Sequence, residues 1–324
     1  MKNFFIERKF IRNSNGAYKY GFLNELRKKH YLPSFFLPLN DWEHGWNFFE
    51  SEILDCYKVN LSHKIGFIVP NEKIQDSYRR FTSNEIILDS LPFYYFFKKI
   101  FRDYQNKTLG KSENNLLVFP GKMAFAGENK DEPSSRLKYF EFIKSLEKDF
   151  EHIFVCIPYS DLLNEDYKEL IEKMNLTYFT GADPADANSY YRLLEILSLA
   201  KFVTTNVLGS ILIYAGILNK KISISGPCYK RNRNFKNLIL PRNFKYSVSQ
   251  IKDEYKRIES EEFMITKFKD LIFTNPILSK EKFNWASKEI GAKNFVSSKK
   301  ACENLGLSYK RQFEKLYNNI LWKK

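Results

Sequence analysis

Residues 202–225 read FVTTNVLGSILIYAGILNKKISIS, and this stretch decides the fold. A short run ends at Thr205 in a polar turn, a long apolar segment covers 207–218, and a second short run covers 221–225. The lengths and composition of these runs predict a strand, a helix and a strand. Mostly apolar strands of this kind are typical of a parallel sheet covered on both faces.

The same alternation extends upstream to residue 116. The predicted strands cover 116–119, 152–157 and 176–179, and the predicted helices cover 135–150, 161–174 and 188–200. Alternating strands and helices are typical of a doubly wound, Rossmann-like α/β domain. We assign this domain to residues 111–245.

The flanking regions predict a smaller α/β domain over 1–110 and a helical segment over 246–324. In the first region we predict strands over 64–69 and 85–88 and helices over 72–81 and 91–104. In the second we predict no strand, and helices over 261–272, 280–290 and 298–321.

Composition excludes several classes of protein. The chain has 324 residues, 44% of them hydrophobic and 17% aromatic, which is enough for sizeable cores. Charges in the first nine residues leave no room for a signal peptide, and the apolar stretch 207–218 is shorter than the roughly 20 residues that cross a bilayer. The four cysteines show neither a disulfide framework nor zinc-ligand spacing. We expect a cytoplasmic protein with no metal and no cofactor.

Positive charge is concentrated towards the end of the chain, whose formal net charge is +14. Residues 221–250 contain Lys230, Arg231, Arg233 and further basic residues but no Asp or Glu. Such a run is either a solvated face or a surface that attracts anions, for example phosphates, an acidic glycan or a membrane.

Several well-known motifs are absent from the sequence. It contains no GxxxxGK[ST] loop, no GxGxxG turn, no HExxH, no GxSxG and no Asp-x-Asp. These absences argue against common NTPases, dehydrogenases, zinc hydrolases, α/β-hydrolases and a metal-held nucleotide.

The turn after the strand at 202–205 is the first candidate site. Hydroxyl and amide side chains converge there with the start of the next helix, and its residues are Thr204, Thr205, Asn206, Gly209 and Ser210. Free backbone N–H groups and a positive helix end are suited to a phosphate. The alternative is a simple helix cap with a glycine that allows close packing.

The second candidate is the sequence Asp41-Trp-Glu43-His44-Gly-Trp46. A histidine beside the carboxylates of Asp41 and Glu43 is a competent general base for a hydroxyl. The alternative is a surface turn whose histidine is incidental.

Two further loops follow strands of the predicted parallel sheet. In Pro120-Gly121-Lys122 the lysine could reach a phosphate while Gly121 lets the backbone approach, and Gly181 lies at the same predicted edge. Loops at strand carboxyl ends are where open α/β sheets bind ligands. A plain turn is the alternative.

Together these motifs resemble those of GT-B glycosyltransferases. The resemblance consists of a His-Gly pair in the N-terminal part, a Pro-Gly-Lys loop after the first Rossmann strand, and the TTNxxGS turn followed by Tyr-Ala and KISISGP. It covers 116–227 best. The nearest resemblance is to bacterial enzymes of capsule, lipopolysaccharide and teichoic-acid assembly, in the branch using cytidine-linked donors, such as sialyltransferases and Kdo transferases.

The resemblance implies a GT-B-like α/β fold with two Rossmann-like domains, the C-terminal parallel sheet being best defined, plus C-terminal helices. It implies a nucleotide-sugar donor in the second domain, a glycan or glycolipid acceptor in the cleft, and metal-independent, inverting transfer. The donor phosphate would contact Thr204, Thr205, Gly209 and Ser210, assisted by Lys122, while His44 or an acid removes the acceptor proton. The basic 221–250 segment would face an anionic acceptor or the inner membrane. The alternatives are a nucleic-acid-binding protein, which we do not expect, and an inactive relative that only binds glycan.

Overall fold

The computed structural model describes residues 20–34, 36–43, 45–48, 50–61, 65–99, 114–121, 133–158, 161, 165–181, 183, 186–228, 240 and 244–314. Within these ranges the chain forms two separate parallel sheets with helices between the strands. The predicted α/β class is therefore confirmed, with two parallel-stranded halves and C-terminal helices.

The first half contains a three-stranded parallel sheet in the order β1-β2-β3. Its elements are α1 (Phe22–His30), β1 (Asn40–Trp42), α2 (Glu52–Leu61), β2 (Gly66–Val69), α3 (Glu72–Arg79), β3 (Glu85–Leu88) and α4 (92–99). The strand β1 was not predicted, because three residues with polar neighbours give no apolar run. It forms because Trp42 is buried and Asn40 to Trp42 pair with β2.

The second half contains five parallel strands in the order β6-β5-β4-β7-β8, the arrangement of a doubly wound sheet. Its strands are β4 (Asn115–Phe119), β5 (His152–Ile157), β6 (Thr177–Thr180), β7 (Phe202–Thr205) and β8 (Lys221–Ile224). Its helices are α5 (Pro133–Ser145), α6 (Glu165–Lys173), α7 (Ser189–Ser198) and α8 (Ser210–Ile217). The first strand of this half, β4, lies in the middle of the sheet. The winding direction therefore reverses between β4 and β7.

The C-terminal segment differs from prediction in four places, the first being a helix over Val248–Ile258 that was not predicted. Its elements are α9 (Val248–Ile258), α10 (Glu261–Phe268), β9 (Lys280–Glu281), α11 (Phe283–Glu289), α12 (Ser298–Asn304) and a helical run over 309–314, α13. The prediction of no strand is wrong, because β9 pairs antiparallel with β8, and the predicted helix over 280–290 therefore begins only at Phe283.

The helices predicted over 261–272 and 298–321 are also shorter than expected. The α10 helix ends at Phe268 and tightens into a 3₁₀ turn over Lys269–Leu271. The α12 helix ends because Gly306 adopts a left-handed conformation, φ +71°, and its N–H donates back to Glu303 O at 2.9 Å. A glycine in this position stops a helix even where the hydrophobic period continues.

Both halves contribute to one large hydrophobic cluster, and each half also has a smaller cluster of its own. A single cluster of buried side chains includes Trp42 and Ile68 of the first sheet, Val203 of the second sheet, and Ile290 next to α11. The C-terminal segment therefore packs against both sheets. None of the helices in the described ranges combines the length and hydrophobicity that a bilayer-spanning segment requires.

Candidate functional site

The reversal point between β4 and β7 lies at the carboxyl edge of the second sheet. There the Gly121 N–H donates a hydrogen bond to Asn206 Oδ1 at 2.9 Å, and Asn206 Nδ2 donates to Pro227 O at 3.2 Å. Asn206 is buried. Its side chain thus joins the loops that follow β4, β7 and β8, which makes this edge a defined platform.

Thr204 and Thr205 lie below that platform, in the interior of the sheet. The Thr204 hydroxyl donates to Ser223 O at 3.3 Å and accepts from Ser223 Oγ at 2.8 Å. Thr205 Oγ1 accepts from the Val207 N–H at 3.3 Å. Both threonines are buried, and their hydroxyls shape the turn from inside. Their contact with a phosphate stays a prediction.

Gly209 and Ser210 lie at the surface of the same turn. Gly209 is the N-cap of α8 with an extended backbone, φ −171°, and no side chain caps the helix. Apart from its neighbours in the chain, a Cβ at this position would meet no atom of the described residues within 4 Å. The first turn of α8 therefore borders open space with its positive end.

The loop after β1 reaches this turn from the other half of the molecule. The Trp46 N–H donates to Ser210 Oγ at 2.8 Å, and a Cβ on Gly45 would lie only 2.9 Å from that oxygen. The approach explains why glycine follows His44 in the sequence. The structure thus brings two motifs together that are separated by more than 150 residues.

Several predicted residues lie outside the described ranges. They are His44, Lys122, Lys230, Arg231 and Arg233. Their roles stay predictions. Two of their sequence neighbours are described. A Cβ on Gly45 would approach Ser210 Oγ, and the Gly121 N–H donates to Asn206 Oδ1.

The two acidic residues near His44 in the sequence, Asp41 and Glu43, lie in different environments. Glu43 accepts from Lys58 Nζ at 3.0 Å and from the Tyr78 hydroxyl at 2.9 Å. Burial, together with the Glu43 charge, raises the pKa of Tyr78, so that the phenol keeps its proton and donates it. Asp41 lies in β1 and is half-buried.

Gly181 has a packing role. Its N–H donates to Ile157 O at 2.8 Å, and a Cβ there would lie 2.8 Å from Cys156 Sγ. The residue is buried and allows a close approach between two strands, and its contact with the donor stays a prediction.

A cavity of about 560 Å³ opens beside Trp46, between the loop over 46–52, the first turns of α2 and α3, and the ends of α10 and α11. The buried carboxylate of Asp55 lies on its wall, accepting from Asn47 Nδ2 at 3.2 Å and from Ser77 Oγ at 2.5 Å. Burial raises the pKa of Asp55. A carboxylate with a raised pKa in a cleft is a candidate functional group.

Sequence reasoning missed Asp55 because the helix that carries it was not predicted. The available signal was an acidic residue on the apolar side of the 52–61 segment, between Leu54 and Cys56. Within the described ranges, no group of three or more His, Cys, Asp and Glu side chains could hold a metal ion.

Comparison with known proteins gives structural similarities only. No protein-family model matches the sequence, and no curated protein matches it. The wall teichoic acid polymerase TagF is 14% identical, with a TM-score of 0.34 over 82% of this chain and 60% of that chain. The pneumococcal O-GlcNAc transferase GtfA, solved with UDP and GlcNAc, is 14% identical, with a TM-score of 0.33 over 87% of this chain and 52% of that chain. The aligned part of this chain therefore covers between half and two thirds of the length of each of these two proteins.

Proposed function

We propose that this chain is a glycosyltransferase that moves a sugar from a nucleotide-sugar donor to a hydroxyl of a glycan or glycolipid acceptor. The observation that carries the proposal is the hydrogen bond from Trp46 N–H to Ser210 Oγ. It joins loops that leave the carboxyl ends of strands in two parallel sheets, where such sheets bind ligands. Transfer between two bound substrates requires sites that are side by side in this way.

The donor phosphate would occupy the open space at Gly209. The first turn of α8 has no side-chain cap, so its backbone N–H groups and helix dipole are oriented towards that space. As the bond between the sugar and the phosphate breaks, these dipoles would stabilise the negative charge on the leaving group without a metal. Lys122 follows Gly121 in the sequence, and we propose that its ammonium group assists.

The acceptor would be activated by His44. Its neighbours Gly45 and Trp46 contact Ser210, which supports a position for the histidine near the donor. The imidazole would take the proton of the acceptor hydroxyl, the oxygen would form a bond to the anomeric carbon, and the nucleotide phosphate would leave from the opposite face. This is inverting transfer.

The partners follow from charge and from the resemblance in sequence. A cytidine-linked donor and an acceptor of a bacterial surface glycan form the specific version of the proposal. The acid-free segment 221–250, with Lys230, Arg231 and Arg233, would attract an anionic acceptor or the inner membrane surface.

The test is substitution of Gly209 by valine. Because the backbone there is extended and the space is open, the variant should fold with an unchanged melting temperature. Its side chain would fill the proposed phosphate position. The affinity for cytidine, uridine or guanosine nucleotides, measured by thermal stabilisation, should therefore fall at least tenfold. Lys201→Ala, an exposed change at the amino end of β7, is the matched control.

Two results would decide against the assignment. If no nucleotide stabilises the wild-type chain, or if Gly209→Val binds nucleotides as the wild type does, the donor site is wrong. Nucleotide binding without donor hydrolysis or transfer would instead indicate an inactive relative that binds glycan.

A further inference from the structure

The cavity beside Trp46 has the size of a small-ligand site. Its volume of about 560 Å³ lies within the roughly 300–1,000 Å³ typical of such sites. Trp46 lines this cavity and also donates its N–H to Ser210. Trp46 therefore connects this cavity to the turn of the proposed donor site.

Aromatic side chains form one wall of the cavity. The ring of Trp46 lies 5.2 Å from that of Phe48 and 5.4 Å from that of Phe268, measured between centroids. The indole is held in place because its Nε1–H donates to Glu289 Oε2 at 2.7 Å. Phe48 and Phe268 are half-buried, so part of each ring is left for a ligand that presents C–H groups.

The charged side chains around the cavity are close to balance. Its lining contains the cations Lys73, Arg80, Lys288 and Lys293 and the carboxylates Glu50, Glu52, Asp55, Glu72 and Glu289. A phosphate site would require an excess of cations. Among the described residues of this lining, no such excess is present.

Four of these charges form two ion pairs within the lining. Lys73 lies 2.5 Å from Glu50, and Lys293 lies 2.8 Å from Glu72. The lysines lower the pKa of both Glu50 and Glu72, although burial opposes this for Glu50. The rim of the cavity therefore offers hydrogen-bond donors and acceptors side by side, and its net electrostatic field is weak.

We infer that this cavity binds an uncharged sugar unit of the acceptor. A sugar hydroxyl both donates and accepts, which matches adjacent ammonium and carboxylate groups, and the C–H face of the ring matches the aromatic wall. That the bound sugar is the acceptor rests on the proposed function. That the ligand is a neutral saccharide rests on the cavity alone.

The test measures which glycans the full-length chain binds. The probes are an array of neutral oligosaccharides, with glucose 6-phosphate and glycerol 3-phosphate as anionic probes, followed by calorimetry on the best neutral binder. We expect a neutral glycan to bind, with an affinity that changes less than twofold between 50 and 500 mM NaCl. Phe268→Ala should weaken it at least tenfold.

Matched variants separate lost binding from lost folding. Ile265→Ala removes an exposed apolar side chain from the same helix, α10, outside the cavity, and should bind as the wild type does. If Phe268→Ala lowers the melting temperature strongly, Phe48→Ala tests the same wall. The inference is overturned if no neutral glycan binds, if an anionic probe binds more tightly and in a salt-dependent way, or if both aromatic variants leave affinity unchanged.

The two proposals fail in different ways. Glycan binding without nucleotide binding would refute the donor site and leave the saccharide cavity standing. Nucleotide binding that Gly209→Val abolishes, without any glycan binding, would refute the cavity assignment alone.

Discussion

Asp89 is the residue whose surroundings most clearly couple stability to pH. It is completely buried at the end of β3 and accepts from Tyr95 Oη at 2.9 Å, from Ser90 N–H at 2.8 Å and from Asn304 Nδ2 at 3.2 Å. Loss of hydration nevertheless outweighs these bonds and raises the pKa of Asp89 from 3.8 to about 6. The bonds join the first sheet to α12.

The sign of the pH effect follows from that shift. Because the folded pKa of Asp89 lies above the unfolded value, the native state binds more protons between about pH 4 and 6. The stabilisation is therefore fully present below pH 4 and is lost as the pH rises through 6, by roughly 2–3 kcal/mol. Asp89→Asn should remove this contribution to the pH dependence.

The measurement is urea unfolding of the wild type and Asp89→Asn at several pH values between 4 and 7.5. The quantity of interest is the difference between the two curves, since the lowered pKa values of Glu50, Glu52 and Glu72 change the stability of both proteins in the same way. Parallel curves over this range would show that the Asp89 carboxyl is not the group responsible.

At the scale of elements, α8 and α11 approach each other closely. A Cβ on Gly216 would lie 2.7 Å from the Cβ of Ala286. Neither atom can move without its backbone, so a larger residue at 216 must push the helices apart. This contact attaches the C-terminal segment to the helix that also carries the candidate donor site.

Gly216→Val should therefore destabilise the chain by about 1–3 kcal/mol through overpacking. Ala286→Gly in the same chain removes the opposing methyl group and should restore part of that loss, giving a favourable coupling energy in a double-mutant cycle. Gly209→Val at the start of the same helix is the control, and it should leave urea unfolding unchanged. An additive cycle would mean that the two residues do not meet.

How much the sequence could predict depends on the range of the interactions involved. The strands from Asn115 to Ile224 were predictable because buried parallel strands produce long apolar runs. The strands β1 and β9 were not predictable, since a segment of two or three mostly polar residues becomes a strand only when a partner strand lies alongside. In the candidate site, the motif at Gly209 and Ser210 was visible, whereas the burial of Thr204 depends on Ser223, a contact that composition does not reveal.

The cavity could not be predicted at all from local patterns. Its wall combines Trp46, Phe48 and Asp55 from one end of the chain with Phe268 and Lys288 from the other. Each has an ordinary alternative role as a core or surface residue. Only the path of the C-terminal segment back to the first sheet brings them together.

For the whole molecule, the decisive feature is that the largest hydrophobic cluster spans both halves. One buried cluster extends from Trp42 and Leu91 in the first half to Leu212 in α8 and Leu305 after α12. The backbone also joins the parts, because Leu91 N–H donates to Ile290 O at 2.9 Å and Leu39 N–H donates to Leu305 O at 2.9 Å. Loss of the C-terminal segment would therefore expose part of the cluster that both halves share.

Unfolding should therefore be a single cooperative transition, although the chain contains two sheets. In differential scanning calorimetry we expect one peak whose calorimetric and van't Hoff enthalpies agree. Gly216→Val should shift that peak to lower temperature without splitting it, because the helix contact it weakens belongs to the shared core. Two peaks, or a van't Hoff enthalpy well below the calorimetric one, would show that the halves fold independently and that Trp46 and Ser210 meet only as neighbouring domains.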